Sequence, residues 1–185
     1  MTAPAIETNG LTRRYGALTA VDHLNIRVEK GELFALLGVN GAGKTTTIRM
    51  LCCLTKPTEG DATLSGASIV REPMHVKEKI GVSPQETAVA ANLTAEENLR
   101  LMCGMHGLSK AETDEKVRAL SERFHLNEVL SRRAGKLSGG WERRLSIAMA
   151  LVSDPEILFL DEPTLGLDVI ARSELWDVIL SLIHI

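Results

Sequence analysis

Nine consecutive residues, Gly38-Val39-Asn40-Gly41-Ala42-Gly43-Lys44-Thr45-Thr46, constrain this chain more than any other stretch. They complete the pattern G-x-x-x-x-G-K-[ST]. The apolar run Leu33-Phe34-Ala35-Leu36-Leu37 precedes them and predicts a strand. Ile48, Leu51, Cys52 and Leu54 follow at spacings that predict one side of a helix. Strand, glycine loop and helix in that order make an anion-binding device. Gly38, Gly41 and Gly43 let backbone N–H groups turn inward, and the helix start adds its positive dipole end. Lys44 can reach terminal phosphates. The Thr45 hydroxyl suits Mg²⁺, which keeps several waters and takes few protein ligands. A Lys-Thr pair has no packing role at such a turn, so the chain is expected to bind a nucleoside triphosphate.

The 185 residues, 44% hydrophobic and 24% charged, suffice for one good core. A net charge of -3 gives no electrostatic case for nucleic acid. No apolar run approaches the roughly 20 residues that cross a bilayer, and residues 1–7 lack the basic and apolar segments of a signal peptide. Cys52, Cys53 and Cys103 have no metal-ligand spacing and read as reduced core residues of a cytosolic protein.

Residues 5–30 predict antiparallel strands, with Leu18, Val21, Leu24, Ile26 and Val28 in rough alternation. Tyr15, taken alone, is a half-buried strand aromatic. Lys56-Pro57-Thr58-Glu59-Gly60 breaks the chain, and short strands follow at residues 61–66 and 80–83. Gln85 reads as a loop polar residue. Residues 92–134 change character. Thr94 with Glu97, and Ser109 with Glu112, form two capping boxes. Leu99, Met102, Cys103 and His106 predict the apolar side of the first helix; Val117, Leu120 and Phe124 predict that of the second.

Leu137-Ser138-Gly139-Gly140 opens a helix that runs to about Val152, with Leu145, Ala148, Met149 and Val152 on its apolar side. Ser138 serves either as a helix cap or as a phosphate ligand at a second free helix N-terminus. Asp154-Pro155 is expected to stop this helix. Then Ile157-Leu158-Phe159-Leu160 leads into Asp161-Glu162, a buried parallel strand with carboxylates at its C-terminal end. Such an Asp helps hold Mg²⁺ in phosphate-loop NTPases, and Glu162 would polarise an attacking water. Residues 163–168 form a turn. Residues 170–182 predict a helix with Leu175, Trp176, Ile179 and Leu182 buried.

Together these motifs resemble the nucleotide-binding domain of ATP-binding cassette (ABC) proteins, in order and over nearly the whole chain. The resemblance implies an α/β fold: a P-loop NTPase core with a parallel sheet, an N-terminal antiparallel β subdomain, and an inserted α-helical subdomain at 86–136. It makes residues 38–46 the Walker A loop, with Gly38, Asn40, Gly41, Gly43, Lys44, Thr45 and Thr46 as nucleotide contacts. It gives Tyr15 the role of stacking on adenine, and Gln85 that of a Q-loop Mg²⁺ ligand. Ser138, Gly139 and Gly140 become the signature, Asp161 the Walker B ligand, Glu162 the general base, and Leu167-Asp168 part of the D-loop.

The implied mechanism has two such domains dimerising head to tail, each ATP lying between one Walker A and the other signature. Within the family the motifs look like those of bacterial exporters of the multidrug and polysaccharide type. That implies a separate transmembrane permease, membrane contact only through it, and a place at the cytoplasmic face. The alternative is a soluble ABC protein acting on ribosomes or DNA. It is disfavoured by the absence of a charged inter-cassette linker and of long coiled coils between Walker A and the signature.

Two departures stand out. Trp141 replaces the signature glutamine and is expected to alter packing at the dimer interface. The switch histidine has no counterpart before Ile185, because His184 comes too early. Residues 180–185 read as a non-native tail, the translation of a transposase end sequence used in library preparation. The family fold would then lack one core strand beside the Walker A strand, and these 185 residues alone are not expected to fold stably or hydrolyse ATP.

Overall fold

A computed structural model describes residues 3–182. Ile183, His184 and Ile185, and with them half of the expected non-native tail, lie outside the described residues. The chain forms two compact units, residues 1–80 and 81–185.

The first unit is an antiparallel sheet with two short helices. β1 (Ile6–Tyr15) is its hub: it pairs with β2 (Leu18–Leu24), β3 (Arg27–Val28) and β4 (Glu59–Leu64), and β4 pairs with β5 (Ala67–Ser68). The expected antiparallel subdomain is therefore present. β1 starts in strict alternation, with Ile6 and Thr8 buried and Glu7 and Asn9 exposed. The register then slips between Leu11 and Arg13, and Leu11 and Thr12 are both buried. That extra residue is a bulge. At the bulge β4 comes in close: a Cβ on Gly60 would lie 2.3 Å from the Gly10 carbonyl oxygen, so only glycine fits. Two buried threonines tie β1 to its neighbour. Thr8 Oγ1 donates to the Leu24 carbonyl and accepts from the Ile26 N–H, both at 2.8 Å; Thr12 Oγ1 accepts from the His23 N–H at 3.0 Å.

α1 (Lys44–Leu51) buries Thr47, Met50 and Leu51. The sequence placed Ile48 and Leu54 on the buried side. Ile48 is only partly covered and Leu54 is 61% exposed, because the chain leaves the helix at Cys52 and turns through left-handed Cys53. α2 (Pro73–Lys79) closes the unit, opened by Pro73 where a missing N–H costs nothing.

The expected strand at residues 33–37 is not formed. The segment has no ladder partner among the described residues, and Leu37 is 92% exposed. An apolar run becomes a strand only when neighbouring backbone satisfies its N–H and C=O groups. Hydrophobic content alone does not supply that.

The second unit is mainly helical. β6 (Ile80–Ser83) pairs with β7 (Ile157–Leu160), joined by the helical crossover that parallel strands need. Between them lie α3 (Ala95–Met105), α4 (Lys110–Arg123) and α5 (Gly139–Ala150); α6 (Val169–Ser181) follows β7. Both capping boxes form as read: each N-cap hydroxyl accepts from the N3 backbone N–H, and each N3 carboxylate accepts from the N-cap backbone N–H. Leu99 and Cys103 of α3, Val117 and Leu120 of α4, and Phe124 just beyond it pack with Leu145, Ala148 and Met149 of α5 and Leu175 and Ile179 of α6 in one core. Two positions differ from expectation. His106 is exposed because α3 ends at Met105, and Trp176 is 37% exposed while Val178 takes the inward place. α5 stops at Ala150, four residues before the Asp154-Pro155 that was expected to end it.

Candidate functional sites for nucleotide

The phosphate loop lies wholly in the first unit. Gly41 and Gly43 both adopt φ of 84°, a left-handed backbone that glycine takes without strain. Gly43 is doubly constrained, because a Cβ there would sit 2.2 Å from the Ala20 carbonyl oxygen of β2. Gly43 is also the N-cap of α1, whose first turn carries no acidic side chain. The N–H groups that open a helix have no intrahelical partner, so this end is electropositive and unopposed. Lys44 Nζ donates to the carbonyls of Gly38 at 2.6 Å and Val39 at 3.1 Å. The cation is thus curled over its own loop. Asn40 and Thr45 are exposed, and Thr46 is partly covered.

Tyr15 ends β1 and is 45% exposed, more open than the half-buried strand aromatic first read there. It pairs with Leu18 across a tight turn at Gly16.

The remaining site residues lie in the second unit. Gln85 follows β6 with an exposed side chain, and its backbone is held from α5: Arg143 Nη1 donates to the Pro84 carbonyl at 2.7 Å and Nη2 to the Gln85 carbonyl at 2.6 Å. Thr87 Oγ1 also bonds to the Glu142 carboxylate. Arg143 is 6% exposed. Burial pushes its guanidinium below the ordinary arginine value, while Glu142 and Asp161 pull it back up. Sequence reading missed Arg143, since a basic pair on a helix suggests a solvated face. Its signal was position: α5 is buried continuously from Arg143 to Met149, and a helix covered all round leaves no solvated face.

Ser138 is the N-cap of α5, yet its side chain makes no capping bond. Gly139 and Gly140 are not in left-handed conformations. A Cβ on Gly139 would meet nothing closer than 4.0 Å, and one on Gly140 nothing closer than 3.5 Å. Packing within the chain therefore requires neither glycine. Trp141 lies under the Arg144 guanidinium, 5.1 Å from the ring centroid, and Arg144 in turn bonds to Glu174 of α6. Trp141 packs, partly buried, against the core of the second unit, and Ser138 and Gly139 stay exposed.

At the end of β7 the Asp161 N–H donates to the Ser83 carbonyl at 3.0 Å, which holds the strand end beside β6. Glu162 has φ of 48°, a conformation that costs a non-glycine residue of order 1 kcal/mol and clusters at working sites. The Asp161 and Glu162 side chains are half-buried. Asp168 caps α6 by accepting from the Ala171 N–H at 2.9 Å. Thr45 in the first unit offers a hydroxyl, and Gln85 and Asp161 in the second offer an amide oxygen and a carboxylate, so every candidate metal donor is an oxygen. That chemistry fits Mg²⁺, which prefers hard oxygen ligands and completes its shell with water and substrate phosphates.

Comparisons with known proteins agree with this layout. The family model described as ABC transporter matches residues 21–165. The chain is 42% identical over 179 residues to the daunorubicin/doxorubicin resistance ATP-binding protein DrrA of Streptomyces peucetius, covering 97% of this chain and 54% of that protein. It is 41% identical over 171 residues to the probable multidrug ABC transporter ATP-binding protein YbhF of Escherichia coli, covering 92% of this chain and 30% of that protein. The chain therefore spans about half or less of these relatives. Among solved structures, cbiO1 from Clostridium perfringens, part of the ABC transporter complex cbiONQ, superimposes with a TM-score of 0.89 at 25% identity, over 98% of this chain and 74% of that one. The matched span holds the phosphate loop, the Ser-Gly-Gly helix start and the paired acids after β7, and the chain belongs to the ABC transporter family.

Proposed function

We propose that the chain is the ATP-binding and ATP-hydrolysing domain of an ABC exporter. It would act at the cytoplasmic face of the membrane on a separate permease, through ATP-driven pairing with a second nucleotide-binding domain. The observation that carries this reading is the Ser138-Gly139-Gly140 edge. Its hydroxyl makes no capping bond, and its glycines have no packing reason inside the chain. Glycine without an internal reason is suited to close approach from outside. A phosphate seated on the partner domain's loop is the chemistry that a free helix N-terminus accepts.

Each residue then has a role. The glycine loop and Lys44 hold the phosphates, and Tyr15 stacks on adenine. Glu162 accepts a proton from the attacking water. Thr45, Gln85 and Asp161 would hold the Mg²⁺, which supplies charge neutralisation on the phosphates. The names of the relatives, which speak of multidrug transport and drug resistance, support the exporter reading. No helix among the described residues is long and apolar enough to cross a membrane.

The test is Glu162→Gln in the full-length protein. With ATP it should sediment as a stable dimer and turn over at a small fraction of the wild-type rate. Unchanged turnover would refute the general-base role.

A further inference from the structure

We propose that Arg13 is a positioning residue for the nucleotide base. It fixes the ring of Tyr15 from behind, so that a base stacks on a platform already in place. This rests on the reading of Tyr15 as the adenine platform.

Three observations carry it. First, the Arg13 guanidinium carbon lies 4.5 Å from the centroid of the Tyr15 ring. Residues two apart on a strand share a face, so the contact follows from the path of β1. One face of the ring is occupied, and Tyr15 as a whole keeps 45% of its surface exposed. Second, Arg13 is itself anchored. Its Nη1 donates to the Lys56 carbonyl at 2.9 Å, and its Nε is buried without a hydrogen-bond partner. A guanidinium partly removed from water interacts more strongly with an aromatic face than a solvated one. Its neighbour Arg14 instead pairs with the exposed Glu59. Third, the platform is tied to the phosphate loop on two sides. Tyr15 pairs with Leu18, and two residues further along β2, about 7 Å in strand rise, the Ala20 carbonyl lies where a Cβ on Gly43 of the loop would fall. Lys56, which anchors Arg13, follows the helix that the loop opens.

The consequence is specific to the base. A ring held on one face loses little freedom when a ligand covers the other, and such ordering otherwise weakens binding. The phosphates gain nothing from it. Arg13 therefore contributes to affinity for ATP and not to affinity for a base-free polyphosphate.

The experiment measures binding of magnesium ATP and of magnesium tripolyphosphate to the full-length protein by titration calorimetry. Wild type is compared with Arg13→Met, Arg13→Lys, Tyr15→Ala and the Arg13→Met/Tyr15→Ala double variant. The expected result is an ATP affinity about 3- to 10-fold weaker in Arg13→Met, with tripolyphosphate affinity unchanged. Arg13→Lys, which keeps a cation for the ring, should lose less, and the double variant should bind ATP no more weakly than Tyr15→Ala. If Tyr15→Ala weakens ATP binding while Arg13→Met does not, the role of Arg13 is overturned and the platform reading stands. If Tyr15→Ala has no effect on ATP, the platform reading itself fails. Equal losses of ATP and tripolyphosphate in Arg13→Met would overturn the proposal by making Arg13 a fold residue only.

Discussion

Arg143 holds Gln85 by the backbone: its Nη2 donates to the Gln85 carbonyl at 2.6 Å while Nη1 holds the carbonyl of Pro84. A buried guanidinium bonded to carbonyls, rather than to a carboxylate, keeps its charge and its full demand for acceptors. The helix that begins at the signature is thereby fastened to the loop that presents Gln85. Arg143→Met should cost about 1–3 kcal/mol of stability, the range for unpairing buried polar groups. It should also raise the Mg²⁺ concentration needed for half-maximal ATPase, because the Gln85 amide is no longer aimed. Denaturant melts and a Mg²⁺ titration of ATPase activity check the two halves separately. A stability loss with an unchanged Mg²⁺ requirement would leave Arg143 a purely structural residue.

Two glycines in the phosphate loop and signature should respond in opposite ways to the same change. Gly43→Ala places a Cβ 2.2 Å from the Ala20 carbonyl on a left-handed backbone. It should destabilise the first unit and abolish nucleotide binding. Gly140→Ala meets nothing closer than 3.5 Å and sits in helix α5, where alanine is favoured by up to about 1 kcal/mol. Its melting temperature should be equal or higher, while ATPase falls by at least about tenfold, roughly 1.4 kcal/mol of barrier. A Gly140→Ala protein with normal turnover would remove the case for close approach at the signature.

The two capping boxes give a pH dependence with a definite sign. Hydrogen bonds from the Thr94 backbone N–H and then its hydroxyl hold the Glu97 carboxyl below its ordinary value; for Glu112 the Ser109 hydroxyl comes first and its backbone second. A carboxyl lowered in the folded state adds stability above its unfolded value, about 4.3. That contribution is lost as pH falls through the folded value. Protection of the first-turn amides of α3 and α4, taken relative to their intrinsic exchange rates, should therefore fall below that pH and hold steady above it. In Glu97→Gln/Glu112→Gln, which keeps an acceptor in each box but removes the titration, this local loss of protection should disappear.

How far the sequence carries depends on what decides each feature. The phosphate loop and the capping boxes were legible because their determinants are local: Gly43 needs a special backbone, and Thr94 and Glu97 need only each other. The β1–β2 hairpin and β7 were legible from alternation and from an apolar run ending in acids. Residues 33–37 were misread because strand formation depends on a neighbour, which no local pattern reports. Arg13 and Arg143 were passed over because basic side chains read as solvated, whereas their meaning lies in Tyr15 and in the carbonyls of Pro84 and Gln85. Trp176 and His106 were misplaced through small errors of helix phase and length, to which a large side chain at a helix edge is sensitive.

The central claim is that one ATP site combines the phosphate loop of one copy with Ser138-Gly139-Gly140 of another. Lys44→Ala and Ser138→Arg variants of the full-length protein, each tested alone, should be inactive. Mixed in equal amounts they should recover about a quarter of wild-type ATPase. Half the dimers would pair one variant with the other, and each such dimer would hold one intact site and one doubly damaged site, as two-fold symmetry requires. A mixture no more active than either variant alone, in a sample where mixed dimers are demonstrably formed, would contradict a site shared between two copies.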